Sequence, residues 1–413
     1  MYGAPHSPGT AAMTHDGIGT IETGRWPARR TAVMDWLVNG THDERFLDRL
    51  FLELCRRLEG ADVPLLRAVV ILQIDNPQWS GVRAMWRRGA AAVEARMSGF
   101  DARLGASYLV SPTHDIHEGM AEVRARLWDS DPAGDPYPLY AELRADGVTD
   151  YVAWPLLFTQ GRRNVVTFAT DRLGGFSDDD IGLLADLVPV LAAVADVRVK
   201  NRLARTLLDT YVGPHAGEAI LNGATRRGTG FTVEAAIVVV DLRGFTAISD
   251  LWPRDDVIAL LNDYFDALSE PIERHGGEIL KFMGDGLLAI FPDDAQAAIG
   301  AVADIRTAMA ALNAGRVADG RDALGYGVGV NYGDVMYGNI GSRTRLDFTV
   351  IGPAVNVASR LEALTKEVGV PALFSGAFVE RTRCGAALRR LGSYPLRGVG
   401  QPLDVYTFAD GEA

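Results

Sequence analysis

The spacing of apolar residues in the first half of the chain changes between helical and strand periods. Residues 43–59 repeat at helical spacing and predict an amphipathic helix. The β-branched run 67–74 predicts a strand, and residues 151–158 and 164–170 predict two more, joined by a glycine-containing hairpin loop. Acidic residues after Ser177 then open a long helix, with Ser177 as its expected N-cap.

The long helix predicted after Ser177 has two interpretations. Its apolar pattern continues past residue 197 toward Leu208, with Pro189 inside it as a potential kink, until Gly213 and Pro214 interrupt it. The later turns form either a coiled-coil seam between two chains or only a linker. The heptads are too few to decide between these two interpretations.

The second half alternates between strand and helix patterns. We predict the following elements in order: strand 235–240, helix 256–274, strands 278–282 and 287–291 as a hairpin, helix 294–312, strands 325–331 and 335–339 as a hairpin through Tyr332-Gly333-Asp334, and helix 353–368. This β-α-β-β-α-β order, with extra elements, is the split pattern of ferredoxin-like α+β folds.

These patterns divide the chain into four predicted segments. Residues 1–29 are rich in Gly, Pro, Ser and Thr and are expected to be disordered. Residues 30–197 are predicted to form a first domain of α/β type, 198–230 a helical linker that includes a short helix over 216–221, and 231–413 a second domain.

Composition narrows the class of protein. The chain has 413 residues, 48% hydrophobic and 23% charged, which excludes a mainly disordered or collagen-like chain. A net charge of −12 argues against a nucleic-acid partner. Two cysteines exclude a disulfide framework. Since no apolar run reaches about 18 residues and no signal peptide is visible, we expect a cytoplasmic protein without a membrane span.

Two aspartates end or connect apolar strands of the second half. Asp241 follows a strand and precedes a glycine turn, after which the N–H groups near Phe245 and Thr246 would open a helix where anions bind. Asp285 lies in the tight turn of the first hairpin. In a βαββαβ sheet the first strand lies beside this hairpin, so both carboxylates can meet at one edge and bind divalent metals and a polyphosphate.

A third signal lies on the last predicted helix. Asn356 and Arg360 are four residues apart and share one helix face. An amide beside a guanidinium can stabilise a charged phosphate transition state. Each of the three signals alone is more often a cap, a turn or a surface pair. The glycine pattern that starts at Gly325 is not a dinucleotide loop, because it lies within a predicted strand.

Taken together, the three segments resemble the class III nucleotidyl cyclases over residues 231–408. The resemblance implies that Asp241 and Asp285 bind two Mg²⁺ or Mn²⁺ ions per active site. One ion would lower the pKa of the ribose 3′-hydroxyl and the other would hold the triphosphate. Pyrophosphate then leaves as the 3′-oxygen attacks the α-phosphorus. Asn356 would orient the ribose and Arg360 would stabilise the pentavalent phosphorus.

The same resemblance assigns base selection to Lys281 and Thr349. Lysine can donate a hydrogen bond to adenine N1 but is repelled by the N1–H of guanine, and guanylyl cyclases of this family generally carry Glu at the Lys281 position. Only three of the 41 basic residues are lysines, so Lys281 is unlike a generic surface charge here. Thr349 resembles the variant for which bicarbonate stimulation has been described.

Two further positions follow from the resemblance. Arg397 lies in a segment that resembles the one supplying a basic residue to the triphosphate. Asp334 departs from relatives that place an arginine there for pyrophosphate.

The first half resembles a GAF-like sensory domain over residues 30–197. Such domains bind small ligands or dimerise, so an unidentified small ligand is a further expected partner. His114 and His117 lack a third metal ligand in the sequence, and Cys55 shows no chromophore or redox motif.

The resulting interpretation is a homodimeric adenylyl cyclase that converts ATP to 3′,5′-cyclic AMP and pyrophosphate. By resemblance, one protomer supplies the metal-binding aspartates and its partner supplies Lys281, Thr349, Asn356 and Arg360. One alternative is a guanylyl cyclase, which Lys281 disfavours. The other is a catalytically inactive cyclase-homology module. It is disfavoured because such a module would be expected to lack some of five residues that are all present here: Asp241, Asp285, Lys281, Asn356 and Arg360.

Overall fold

The computed structural model describes residues 28–383 and 387–409, and the chain divides into two compact units at Leu203/Ala204. Most of the segment expected to be disordered therefore lies outside the described residues, although Ala28 and Arg29 already belong to a helix. Cys384 also lies outside them.

The first unit contains one sheet and the helices that cover it. Its elements are α1 (Ala28–Asn39), α2 (Leu47–Gly60), β1 (Arg67–Gln73), β2 (Gly81–Arg87), β3 (Glu94–Ser98), α3 (Ala106–Leu109), α4 (Pro112–Glu118), β4 (Val123–Arg126), α5 (Leu139–Ala145), β5 (Asp150–Leu157), β6 (Arg163–Thr170) and α6 (Asp178–Val212). The boundary between the two units falls within α6.

The six strands form one sheet in the order β3-β2-β1-β6-β5-β4, and every pairing in it is antiparallel. The predicted hairpin of residues 151–158 and 164–170 is confirmed as β5 and β6. Because no strands of this sheet are parallel, the unit belongs to the α+β class, and the expected α/β class is wrong in that respect.

Helices cover both faces of this sheet. On one face, Leu54 of α2 and Leu187 of α6 are buried against Val70 and Val166 of the sheet. Helices α4 and α5 cover the other face. The Ser177 hydroxyl accepts a hydrogen bond from the backbone N–H of Asp180 at 3.2 Å, as expected for an N-cap.

Helix α6 continues through Pro189 to Val212, beyond the point where its burial ends. Its buried residues stop at Asp196, so the last four turns present no residue that is buried within the chain. Gly213, with a φ of 89°, ends this helix and starts the next, as the sequence predicts. The later turns remain open to either interpretation, a seam between chains or a linker.

The second unit also contains one sheet. Its elements after α6 are α7 (Pro214–Leu221), β7 (Gly230–Leu242), α8 (Phe245–Leu251), α9 (Arg254–Arg274), β8 (Glu278–Met283), β9 (Gly286–Pro292), α10 (Ala295–Ala318), β10 (Tyr326–Gly341), β11 (Leu346–Ile351), α11 (Pro353–Val368), β12 (Ala372–Ser375), α12 (Gly376–Arg381), β13 (Leu388–Tyr394) and β14 (Leu403–Phe408).

The sheet order is β13-β14-β12-β10-β7-β9-β8, and β11 pairs with β10. Strands β7, β8, β9 and β10 with helices α9 and α10 follow the predicted β-α-β-β-α-β order. Helices α9 and α10 pack on one face, and α7 and α11 pack on the other. Strand β7 therefore lies at the centre and β9 lies next to it, which places the ends of both strands side by side.

The second predicted hairpin of this unit is wrong. Residues 326–341 form a single strand, and Tyr332, Gly333 and Asp334 continue the pairing with β7 without a turn. A turn signal of this kind is overridden when thirteen consecutive residues pair with the same neighbouring strand, because each pair adds ladder hydrogen bonds. The actual turn follows Gly341 and joins β10 to β11.

Within the described parts of the chain, no helix combines the length and the apolar composition that a membrane crossing requires.

Candidate active site

Asp241 lies near the C-terminal end of the central strand β7. The strand forms here because a run of β-branched and aliphatic residues, Ile237–Val240, is buried on both faces of the sheet. Asp241 is paired with Gly327 of β10, and its side chain is only partly exposed. The chain then turns at Gly244, which has a φ of 77°, and α8 begins.

Asp285 lies in the two-residue turn between β8 and β9, next to Asp241. Gly284 precedes it with a φ of 70°, a conformation that favours glycine. A Cβ atom at Gly286 would lie 3.2 Å from Oδ1 of Asp241, so Gly286 leaves room for that carboxylate. The structure thus brings the two predicted aspartates together, and burial, followed by the negative charge of Asp285, raises the pKa of Asp241.

Both carboxylates lack a compensating positive charge. Among the described residues, no lysine or arginine forms an ion pair with Asp241 or Asp285, and no cluster of three His, Cys, Asp or Glu side chains is arranged as a metal site. Two adjacent carboxylates repel each other, and a bound divalent cation would relieve that repulsion. Such a cation would take its remaining ligands from substrate phosphates and water. His114 and His117 likewise belong to no such cluster among the described residues.

Two residues near this pair were not predicted from the sequence. Tyr264 of α9 is fully buried, and within the part of the chain that the structure describes its hydroxyl has no hydrogen-bond partner. Burial, together with the charges of Asp241 and Asp285, raises the pKa of Tyr264. Glu362 of α11 lies over Gly327, where a Cβ atom would be 2.6 Å from its Oε1. Burial and the charge of Asp241 raise the pKa of Glu362 to about 7.

The glycines of β10 explain how Glu362 comes so close. Gly327 and Gly329 face α11, and a side chain at either position would overlap the helix. The repeated glycine pattern is therefore a packing surface for a helix, and its rejection as a dinucleotide loop is consistent with the strand it lies in. Alternating glycines opposite a helix containing Glu362 were a signal in the sequence that could have located this carboxylate.

Lys281 and Thr349 lie on strands that approach each other, β8 and β11. Apolar residues of both strands, including Leu280 and Val350, belong to one buried cluster. Thr349 is 5% exposed, and its hydroxyl has no hydrogen-bond partner among the described residues. A buried hydroxyl without a partner costs free energy, and a hydrogen bond to a bound ligand would remove that cost at Thr349.

The remaining predicted residues lie around α11 and α8. Asn356 is exposed on α11, and Arg360 follows one turn later. A Cβ atom at Gly398 would lie 3.2 Å from Nη2 of Arg360, so Arg360 contacts the loop that carries the exposed Arg397. At the start of α8, Phe245 is partly buried and Thr246 is exposed.

The sheet register separates Thr349 from Asp241. Thr349 pairs with Gly338, and Gly338 pairs with Gly230 at the start of β7. Asp241 lies eleven residues further along β7, a contour length of about 36 Å for an extended strand. Two of the predicted groups therefore lie at opposite ends of the central strand of one chain.

Comparison with known proteins gives matches to this part of the chain. Residues 232–408 match the family model described as the adenylate and guanylate cyclase catalytic domain. An adenylate cyclase from Anabaena cylindrica is 32% identical over 249 residues, which cover 55% of this chain and 48% of that protein. Adenylate cyclase 1 from Rhizobium meliloti is 28% identical, with coverage of 57% and 37%. The chain thus spans half or less of the length of these relatives.

Among solved structures, the adenylyl cyclase CyaB from P. aeruginosa is 30% identical, with 45% of this chain and 97% of that chain covered and a TM-score of 0.41. The family match starts and ends within one residue of the span expected from the motifs. It includes the aspartate pair, all of β7 except its first two residues, and all of α11. Residues 232–408 are therefore an adenylate and guanylate cyclase catalytic domain.

Proposed function

We propose that the protein is an adenylyl cyclase, which converts ATP to 3′,5′-cyclic AMP and pyrophosphate. The observation that carries the proposal is the pair of adjacent carboxylates, Asp241 and Asp285, which lies in a cyclase catalytic domain and has no cationic partner in the described part of the chain. The cyclase relatives named above are adenylate cyclases by description, which supports ATP as the substrate.

Asp241 and Asp285 would hold two Mg²⁺ or Mn²⁺ ions. When bound, the ions supply charge neutralisation at the triphosphate and lower the pKa of the ribose 3′-hydroxyl. The two aspartates position this charge where the α-phosphorus is attacked. Around them, Asn356 would orient the ribose, while Arg360 and Arg397 would stabilise negative charge on the phosphates. The N–H groups near Phe245 and Thr246 would bind triphosphate oxygens.

Lys281 and Thr349 would select adenine. The Lys281 ammonium can donate to N1 of adenine, and the buried Thr349 hydroxyl can pair with a polar edge of the base. Selection is strong at such a position because a base that fails to pair leaves a buried polar group unsatisfied. The effect of bicarbonate on this Thr variant is an open part of the proposal.

The active site would be shared by two protomers of a homodimer. One protomer supplies Asp241 and Asp285, and its partner supplies Lys281, Thr349, Asn356 and Arg360. The separation of Thr349 and Asp241 along β7 supports this arrangement, because one nucleotide is too short to reach both ends of the strand within a single chain. A two-fold dimer then contains two equivalent sites.

The first unit would be a GAF-like regulatory domain. Its support is the resemblance over residues 30–197, together with an antiparallel sheet that is covered by helices on both faces. A signal received there would reach the catalytic domain through α6 and the segment 198–230. The direction of the effect, activation or inhibition, is open.

The proposal is tested by product analysis of the full chain with Mn²⁺ and either ATP or GTP. We expect cyclic AMP from ATP, a loss of at least 100-fold in Asp285→Asn, and normal turnover in Asp266→Asn, an exposed aspartate on α9. A preference for cyclic GMP would favour the guanylyl cyclase alternative. No product from either nucleotide would favour the inactive module.

A further inference from the structure

A cavity of about 480 Å³ opens on one face of the sheet of the first unit. Its walls come from β1, β2, β5 and β6, from the segment 98–117 and from the start of α5. This volume lies within the range of about 300–1,000 Å³ that is typical of small-molecule sites.

Two arginines give the cavity its charge. Arg67 of β1 and Arg83 of β2 both line it. Arg67 is 8% exposed, and burial, followed by the positive charges of Arg83 and Arg87, lowers its pKa. Like charges are thus held close together at a place where water is partly excluded, which costs free energy unless an anion compensates.

The carboxylates around the cavity do not compensate Arg83. Asp146 lies 3.6 Å from Arg67 and 3.0 Å from Arg87, so two guanidinium groups share it. Glu142 also lines the cavity. Within the described residues, no carboxylate lies within 4.0 Å of the Arg83 guanidinium, whose one hydrogen bond is to the Met85 sulfur at 3.6 Å.

The other walls offer an apolar surface and hydroxyl groups. Val69 and Ile71 supply aliphatic contacts on the sheet, and Ser111 and Thr167 add hydroxyls. Ile71 pairs directly with Arg83 across β1 and β2, so an apolar surface lies beside the charged group. A ligand with one anionic group and an apolar body would match both features.

We propose that this cavity binds a small organic anion, a carboxylate or a phosphate monoester, with its charge at Arg83 and Arg67 and its body against Val69 and Ile71. A guanidinium pairs with both anions through two parallel hydrogen bonds. The first unit would then recognise a metabolite by its negative charge. The proposal does not depend on the nucleotide that the catalytic domain uses.

Calorimetric titration of the full chain, in a metal-free buffer that contains no organic anion, tests the proposal with three probes. Benzoate and phenyl phosphate carry the two anionic groups on the same ring, and benzyl alcohol is the neutral counterpart. We expect saturable binding of at least one anion at one site per chain, and the better of the two identifies the preferred head group. Benzyl alcohol is expected to bind at least tenfold more weakly.

Two variants locate the binding. Arg83→Gln should lower the affinity for the anion at least tenfold, with a Tm equal to or above that of the wild type because repulsion with Arg67 is relieved. Arg96→Gln is the matched control, since Arg96 lies on the neighbouring strand β3, is exposed and pairs with Glu94. It should bind the anion as the wild type does.

Three results would overturn the proposal: no binding of either anion, equal binding of benzyl alcohol, or unchanged affinity in Arg83→Gln. The last result would place the anion elsewhere, including the phosphate-binding part of the catalytic domain. A lower Tm of Arg83→Gln in the absence of any anion would also overturn it, because Arg83 would then support the fold.

Discussion

The two halves of the molecule hold unbalanced charge of opposite sign. In the second unit Asp241 and Asp285 lie side by side, and none of the described lysines and arginines forms an ion pair with either. In the first unit Arg67 and Arg83 line a cavity, and no described carboxylate lies within 4.0 Å of the Arg83 guanidinium. The pKa of Asp241 is raised and that of Arg67 is lowered, in both cases by burial first and by the like charge second. Each pair costs stability that a ligand of opposite charge would restore.

The largest expected effect is the loss of turnover when one carboxylate of the acidic pair is removed. Asp241→Ala should lower turnover with ATP and Mn²⁺ by at least 100-fold, because a metal-binding charge is lost where phosphate charge develops. In EDTA the same variant should have a higher Tm than the wild type, since the repulsion from Asp285 is removed. Steady-state kinetics and thermal unfolding measure the two effects.

An aspartate with a purely structural role would behave differently. Its removal would lower the Tm in EDTA, and turnover would fall only as far as the folded fraction falls. More than a few per cent of wild-type turnover in Asp241→Ala would also contradict the metal assignment.

The second largest effect is on the choice between adenine and guanine nucleotides. Lys281→Glu combined with Thr349→Cys exchanges a donor for an acceptor at purine N1 and should shift the GTP-to-ATP ratio of kcat/KM by about 2 kcal/mol, or about 30-fold. Lys366→Glu is the matched control, because Lys366 is an exposed lysine on α11. An unchanged ratio in the double variant would remove both residues from the base site.

The smallest effect is on stability as a function of pH. Burial and the charge of Asp241 raise the pKa of Glu362 to about 7, so the folded chain binds this proton more tightly than the unfolded chain. The resulting stability is complete below the ordinary glutamate pKa near 4.5 and is lost as the pH rises through about 7.

Thermal unfolding in EDTA between pH 5 and 7.5 measures this effect. The fall in Tm over this range should be smaller in Glu362→Gln than in the wild type by about 3 °C. Glu367→Gln, an exposed position on the same helix, should follow the wild type. Equal falls in all three proteins would show that Glu362 titrates at its ordinary pKa.

The sequence predicted the acidic pair because local signals mark it. Asp241 ends a buried strand and Asp285 lies in a glycine turn, and the β-α-β-β-α-β order alone places these strands side by side. Tyr264 lacks such a signal, because its approach to Asp241 depends on how closely α9 packs on the sheet. Glu362 is marked only indirectly, by the alternating glycines of β10 that let α11 come close.

The basic pair could not be predicted in this way. Arg67 and Arg83 are ordinary members of a chain that is rich in arginine. They line one cavity only because the register of β1 and β2, which pairs Ile71 with Arg83, places both on the same face of the sheet. The failed hairpin at Tyr332-Gly333-Asp334 has a related cause, since long pairing with β7 outweighs a local turn signal. Functional residues can be predicted from a sequence where they end a strand or lie in a turn. They are much harder to predict where strand register or helix packing brings them together.

The central claim, that one active site is built from two protomers, is tested most directly by mixing two inactive variants. Asp241→Ala and Arg360→Ala would each be nearly inactive alone. In a mixed dimer one site carries both lesions and the other carries none.

Random subunit exchange makes about half of the dimers mixed, so activity should return to about a quarter of the wild-type value. A mixture of Asp241→Ala and Asp285→Ala is the control and should stay inactive, because both of its sites keep a lesion. Once exchange has been verified by mass spectrometry, failure of the first mixture to regain activity would mean that each site is built within one chain.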